Sequence, residues 1–210
     1  MKNICCLIIS VLLSCFLHAQ VSYGLKGGLN LSNQVMKVSF GDINISREGK
    51  YIPTFHAGAV LDYRFQHNFS IRPELLFTGK GSNFKSEDDN GNESITRLRP
   101  YYLELPVTLL YHHDFNHTVE GYAGLGPYLS YGLFGKAKSD QQTEDIFENE
   151  GLKRFDAGLY YQAGVKLVNG LFFNAAFAHG FANTANTGSQ DQITITMKNK
   201  VFMFSIGKFF

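Results

Sequence analysis

Tryptophan is absent from this chain, and cysteine occurs only as Cys5, Cys6 and Cys15. Beyond position 15 there is no thiol, so disulfides, thiolate metal sites and cysteine nucleophiles are excluded from the rest of the chain. A surplus of one charge is missing too: 19 Lys and Arg stand against 18 Asp and Glu, a formal net charge of +1. That balance lacks the basic footprint of a nucleic-acid binder. Past the first residues, no apolar run approaches the ~20 residues a transmembrane helix needs. No Gly-x-Ser-x-Gly elbow occurs, which removes the signature of one large hydrolase class. A chain of this kind can cross a membrane only as a closed barrel, because an open sheet edge leaves backbone groups unsatisfied in lipid.

Lys2 precedes a run, residues 4–17, that is apolar except for Ser10 and Ser14, and Ala19 supplies a small residue just beyond it. This pattern predicts a signal peptide over residues 1–19, cut between Ala19 and Gln20, which leaves residues 20–210 as one domain. A lipoprotein reading stays open. Leu12-Leu13-Ser14-Cys15 has a lipobox-like shape, but Phe16 and Leu17 follow Cys15 where a polar tether is expected.

What the chain does have is aromatic residues, 19 Phe and 11 Tyr, set in a strict alternation. Eight stretches repeat apolar and polar residues with a period of two, at residues 21–31, 54–65, 69–79, 101–111, 118–132, 154–168, 171–181 and 200–210. A period of two is the strand signature. In the first stretch Tyr23, Leu25, Leu29 and Leu31 share one face, with Ser22, Gly24, Lys26, Gly28 and Asn30 opposite. In the third, Phe69, Ile71, Leu75 and Phe77 oppose Ser70, Arg72, Glu74, Leu76 and Thr78. The connections alternate in length: residues 66–68, 112–117 and 169–170 are short, and residues 32–53, 80–100, 133–153 and 182–199 are long. Short turns therefore fall at one end and long loops at the other, the plan of bacterial outer-membrane barrels. The expected fold is all-β: an eight-stranded antiparallel up-and-down transmembrane β-barrel. Its apolar faces would meet lipid and its polar faces would fill the lumen. Both termini would lie in the periplasm of a Gram-negative cell and the long loops outside. Outer-membrane lipid and, during biogenesis, the barrel-assembly machinery are the expected partners. The terminal Phe210 suits a chain delivered to that machinery.

At two places the pattern becomes more specific. Residues 69–77, Phe-Ser-Ile-Arg-Pro-Glu-Leu-Leu-Phe, followed by Thr78-Gly79-Lys80-Gly81-Ser82, resemble the "PELLY…KG" signature of the PorT-like outer-membrane β-barrel family. Tyr101-Tyr102-Leu103-Glu104-Leu105-Pro106 is similar to that family's "YLEIP" segment, and Gly126-Pro127-Tyr128 and the closing residues 204–210 also fit. The resemblance implies an eight-stranded barrel of OmpX/OmpA-like architecture. The family's namesake is implicated in type IX protein secretion. A fold-level likeness does not carry that role over by itself.

Candidate chemistry lies mainly on the polar faces. Lys26, Asp62, Arg64, Arg72, Glu74 and Glu104 all project there. Charges cost about 2–4 kcal/mol facing lipid near the midplane, so these six should form a lumen network. If Phe65 pairs with Phe69 across the first turn, Asp62 faces Arg72; Glu74 and Glu104 could share Lys26 or Arg72. A proton or ion path is one reading. The favoured one is a charged plug, because side chains fill an eight-stranded lumen.

Pro73 and Pro106 fall inside strands, where each forces either a bulge or an interrupted ladder. His112, His113, Asp114 and His117 cluster near a turn but meet no metal-ligand spacing, so a plain solvated turn is expected. Asp88-Asp89-Asn90-Gly91-Asn92-Glu93 has its Gly too early for a calcium loop and reads as a flexible acidic loop; residues 140–150 read likewise. His179, Ser189 and Asp191 are the one set that could support lipid-modifying catalysis. No cofactor or metal site is expected. The function expected overall is a structural or interaction barrel acting through its external loops. The alternatives are an accessory part of a type IX-like secretion apparatus and a lipid-modifying enzyme.

Overall fold

A computed structural model describes residues 20–40, 43–87, 93–116, 118–139, 143–148, 151–186 and 193–210. Its strands, in chain order, are β1 Gln20–Phe40, β2 Ile43–Glu48, β3 Ile52–Gln66, β4 Phe69–Gly79, β5 Ser82–Glu87 and β6 Glu93–Asn116. These are followed by β7 Val119–Lys138, β8 Thr143–Asp145, β9 Phe155–Leu167, β10 Leu171–Gly180 and β11 Ile193–Phe209. Eight of them close a ring in the order β1-β3-β4-β6-β7-β9-β10-β11, and β11 returns to β1 from Gly24↔Phe209 to Phe40↔Ile193. Every ring pairing is antiparallel. The expected eight-stranded barrel is thus present, and β2, β5 and β8 are additions to it.

The tight turns carry their own side-chain caps, in the manner of Asx turns. Asn116 Oδ1 accepts from the amides of Thr118 and Val119 at 2.9 and 2.8 Å. Asn169 Oδ1 accepts from the Leu171 amide at 3.0 Å, and the intervening Gly170 has φ of 84°, a conformation that favours glycine.

The other end differs from the expectation of long irregular loops. Alternation weakens there, but pairing continues. β1 runs on to Phe40 and pairs with β2, β5 folds back on β6, and β8 pairs with β7. The barrel wall therefore extends well past the ring's apolar band. The expected turn at residues 112–117 is also shorter, because β6 continues to Asn116. At the first turn Gln66 rather than Phe65 pairs with Phe69, through a register shift between Arg64 and Gln66. At Pro73 and Pro106 the ladder is interrupted without a change of register: Pro73↔Val107 and Leu76↔Glu104 keep one register, as do Pro106↔Tyr128 and Leu109↔Leu125.

Side chains sort as the period of two requires. Leu25, Leu29, Phe55, Leu61, Leu75, Leu105, Leu109, Leu125, Leu129, Phe204 and Ile206 are exposed on the outside, while Lys26, Asn30, His56, Arg72, Glu74 and Glu104 are buried inside. Aromatic rings form two outer belts, as in membrane barrels. At the turn end Tyr23 lies 6.1 Å from Phe210 and Phe69 lies 5.4 Å from Tyr111. At the loop end Phe77 stacks on Tyr101 at 5.5 Å, and Tyr101 reaches Phe134 at 5.1 Å. Tight strand coiling demands glycine on the wall: a Cβ on Gly58 or Gly124 would overlap the carbonyl oxygen of Leu75 or Leu109.

Candidate functional site: the barrel lumen

Three ion-pair layers stack along the lumen. Nearest the turn end, Arg72 Nε donates to Asp62 Oδ2 at 2.8 Å, and its Nη2 contacts the same oxygen. The guanidinium lies 4.2 Å from the Tyr122 ring and 5.3 Å from the Phe209 ring. This is the cross-strand pair expected from the sequence, held despite the shifted turn, because Tyr63↔Ile71 and Val60↔Glu74 share one register.

In the middle layer Lys26 Nζ meets Glu74 at 2.5 Å and donates to the Tyr160 hydroxyl at 3.3 Å. Gln162 Nε2 donates to Glu74 Oε1 at 3.2 Å and to Thr108 Oγ1 at 2.7 Å. On its loop side, His56 bridges Asn30 Oδ1 at 2.6 Å and Ser205 Oγ at 2.8 Å.

The third layer centres on Lys80. Its ammonium sits 2.6 Å from Glu104 and 2.9 Å from Asp156, and the side chains of all three are 0 % exposed. It also donates to Ser130 Oγ at 3.1 Å, with the rings of Tyr102 and Tyr128 at 5.0 and 4.6 Å. Asp156 accepts further from the Tyr128 hydroxyl at 3.1 Å and Asn199 Nδ2 at 2.9 Å. One ammonium thus serves two carboxylates. An isolated charge could not be buried this way; paired and hydrogen-bonded, it can.

Of the six expected network residues, Lys26, Asp62, Arg72, Glu74 and Glu104 lie in these layers. Glu104 takes neither Lys26 nor Arg72 as its direct ion partner; Lys80 fills that place. Arg64 sits lower, at the mouth, where it binds Glu120 at 2.7 Å. Glu120 there also meets His112 at 2.9 Å and Lys166 at 3.1 Å. His112 is therefore not part of a solvated turn: it is buried in the wall's inner face and bonded to Ser70 at 2.8 Å. Below it opens a vestibule of about 820 Å³ lined by Ser22, Asp114, Glu120, Lys166 and Phe209.

The loop end is closed by apolar side chains. Ile146, Leu152, Ala185 and Met197 form a buried cluster with Met36, Phe84, Leu98 and Phe147 packed against it. Phe147 stands edge-on to Tyr102 at 5.8 Å, and the Arg154 guanidinium lies 5.0 Å from the Phe147 ring. Residues 140–150 read as a flexible acidic loop, but within the described part Thr143–Asp145 pairs with β7 and Ile146 is buried.

Sequence reasoning missed Lys80 and the roles of Asp156, His56 and Tyr160. A signal for Lys80 existed. The inward parity of Arg72, Glu74, Leu76 and Thr78 runs on to position 80, but there Gly79 and Gly81 replace the apolar partner face and the strand signal fades. His179 lies on the outer belt between Phe177 and Phe181, at 5.9 and 5.2 Å. Ser189 and Asp191 lie outside the described residues, as do residues 1–19 with Cys15 and Ala19, residues 88–92, and His117. Among the described residues no group of three metal-ligating side chains converges.

No curated protein matches the chain. Among solved structures, Neisserial surface protein A is similar at 13% identity and a TM-score of 0.46, covering 90% of this chain and 98% of that one. Ail, the attachment invasion locus protein of Yersinia pestis, is similar at 14% identity and a TM-score of 0.39, covering 88% of this chain and 98% of its own. Outer membrane protein W of E. coli is similar at 18% identity and a TM-score of 0.38, covering 92% and 100%. The family model described as "Outer membrane protein beta-barrel domain" matches residues 18–186, most of the chain. An alternating sequence, a ring of eight antiparallel strands and that match agree: the chain belongs to the outer membrane protein beta-barrel domain family.

Proposed function

We propose that this outer-membrane barrel is a closed, non-catalytic scaffold that acts through its loop-end rim. One observation carries the reading: the lumen is filled by mutually paired charges and then sealed by the apolar cluster around Ile146. A route for solute would have to break three buried ion-pair layers. What the fold leaves free to act is the extended wall of β1, β2, β5 and β8 beyond the aromatic belt. In this reading residues 1–19 are a signal peptide cut after Ala19, both termini are periplasmic, and the rim faces outward. The test is surface labelling with a membrane-impermeant maleimide on intact cells, using the chain's lack of cysteine beyond Cys15. Ser39→Cys, at the rim, is expected to label, and Asn68→Cys, at a tight turn, is expected to stay unlabelled until the outer membrane is opened. The reverse pattern would overturn the orientation.

A second reading follows from the PorT-like motifs at residues 69–82 and 101–106: the rim would dock on a type IX-like secretion apparatus. Recovery of secretion subunits with the detergent-extracted barrel supports it, and export unchanged on deleting the gene defeats it. A lipid-modifying role is disfavoured by the place of His179 among the rings of the outer belt.

A further inference from the structure

Just beyond the loop-end aromatic belt, β6 and β7 set like charges directly against each other. The register pairs Tyr101 with Phe134, then Arg99 with Lys136, then Arg97 with Lys138. All four cations are exposed. Tyr101 and Phe134 belong to the outward-facing belt, and a bulge at Leu133 keeps Lys136 and Lys138 on that same outer face. Among the described residues, no carboxylate is within ion-pairing distance of any of the four. The one acid facing the group across the ladder is Asp145, opposite Lys136, and its Oδ1 accepts from the Phe147 amide at 2.9 Å.

Like charges directly opposite on a sheet are destabilising. Two such pairs in succession are a cost that an external anion would relieve. Their height says which anion. Residues rise about 3.3 Å along a strand, so Arg99 and Lys136 lie about 7 Å beyond the aromatic pair. Aromatic belts mark the membrane interface, and the headgroup layer beyond the hydrocarbon is only about 5–7 Å thick on each side. Arg99 and Lys136 therefore stand at headgroup phosphate level; Arg97 and Lys138, two residues further along the strand and about 13 Å from the belt before strand tilt is allowed for, stand at its outer edge, and all four face sideways, away from the barrel axis. β8 sets Asp145 level with Lys136 and Glu144 level with Ala137, so acid flanks the patch on its β8 side and disfavours a soluble polyanion spread across that strand.

We propose that Arg97, Arg99, Lys136 and Lys138 form a docking patch for the phosphate groups of an anionic lipid headgroup in the loop-side leaflet. Arginine and lysine divide the task as their chemistry suggests. The guanidinium forks of Arg97 and Arg99 grip phosphate oxygens in pairs, and the lysines neutralise charge. The patch rests on the membrane-spanning barrel described above and adds a specific lipid contact to its rim.

The test uses the full chain refolded in detergent micelles and titrated with bis-phosphorylated lipid A, with the dephosphorylated lipid and heparin as comparison probes. The wild type is expected to bind lipid A with an affinity that falls as salt rises. Each cation near an anionic surface contributes a factor of about five, so the quadruple Arg97→Gln/Arg99→Gln/Lys136→Gln/Lys138→Gln variant is expected to lose about 600-fold. A Lys37→Gln/Lys198→Gln variant, on the opposite flank of the rim, is expected to bind as the wild type does. Heat-modifiable gel mobility checks that each variant is folded. Should the quadruple variant not fold, the Arg99→Gln/Lys136→Gln pair gives the reading, with an expected loss of about 25-fold. Equal binding by the variant, equal binding of dephosphorylated lipid, or tighter capture of heparin than of lipid A would each overturn the proposal. Loss of gel mobility in the wild type would instead strike at the barrel itself.

Discussion

Replacing Lys80 by Met is the sharpest perturbation of the lumen. The substitution keeps a long unbranched side chain but removes the ammonium that holds Glu104 at 2.6 Å and Asp156 at 2.9 Å. Two carboxylates would then face each other with no cation, in a layer where their side chains are 0 % exposed. Removing one partner from a buried pair costs about 3–5 kcal/mol, largely because the remaining charge is left uncompensated. The contacts of the ammonium to Ser130 and to the faces of Tyr102 and Tyr128 are lost as well. The expected loss is about 4 kcal/mol, near a thousandfold in the folded-to-unfolded ratio. The assay is urea unfolding of the barrel in lipid vesicles, followed by gel mobility and far-UV circular dichroism, since the chain has no tryptophan to report. A triple variant, Lys80→Met/Glu104→Gln/Asp156→Asn, removes the charges together and is expected to recover most of the loss. A Lys80→Met barrel within about 1 kcal/mol of the wild type would refute the idea that these charges are dry and mutually dependent.

Other perturbations probe the wall and its closure. Leu125→Arg places a charge on the outer face and is expected to cost about 2–4 kcal/mol in vesicles, an effect absent if that face met water. Gly124→Ala drives a methyl group into the Leu109 carbonyl and is expected to cost about 1–3 kcal/mol in the same urea assay. Ile146→Asp puts a charge into the apolar cap; limited proteolysis should then cut within residues 139–154, while heat-modifiable mobility stays unchanged. Loss of mobility in that variant would mean that the cap holds the ring itself together.

The barrel was legible because its physics is periodic. Lipid on one side and a packed lumen on the other force alternation, and Leu25, Lys26, Leu75 and Glu74 each fell on the face that their chemistry demands. The Asp62–Arg72 pair was legible too, but only because the shift between Arg64 and Gln66 restores the register that a Phe65–Phe69 pairing would have set, although Gln66 is the residue that pairs with Phe69. What lay beyond the lipid was not. In β1 past Leu31 and in β5, small polar residues such as Ser32, Asn33 and Ser82 replace the apolar partner, so the strand signal fades while backbone pairing continues. The cap was hidden for a related reason. Ile146, Leu152, Ala185 and Met197 come from separate segments with no shared period, and only the closed ring brings them together. His112 was misplaced because polar residues near a turn look alike whether they point to water or into a mouth lined by Glu120 and Arg64.

The central claim is that this barrel is closed by its own side chains. Its most direct test is the conductance of the purified, refolded barrel in planar lipid bilayers. The structure predicts no long-lived open level at any holding potential that the bilayer survives. A stable ohmic channel of uniform size would contradict it and would mean that the layers around Lys26, Arg72 and Lys80 part to make a pore.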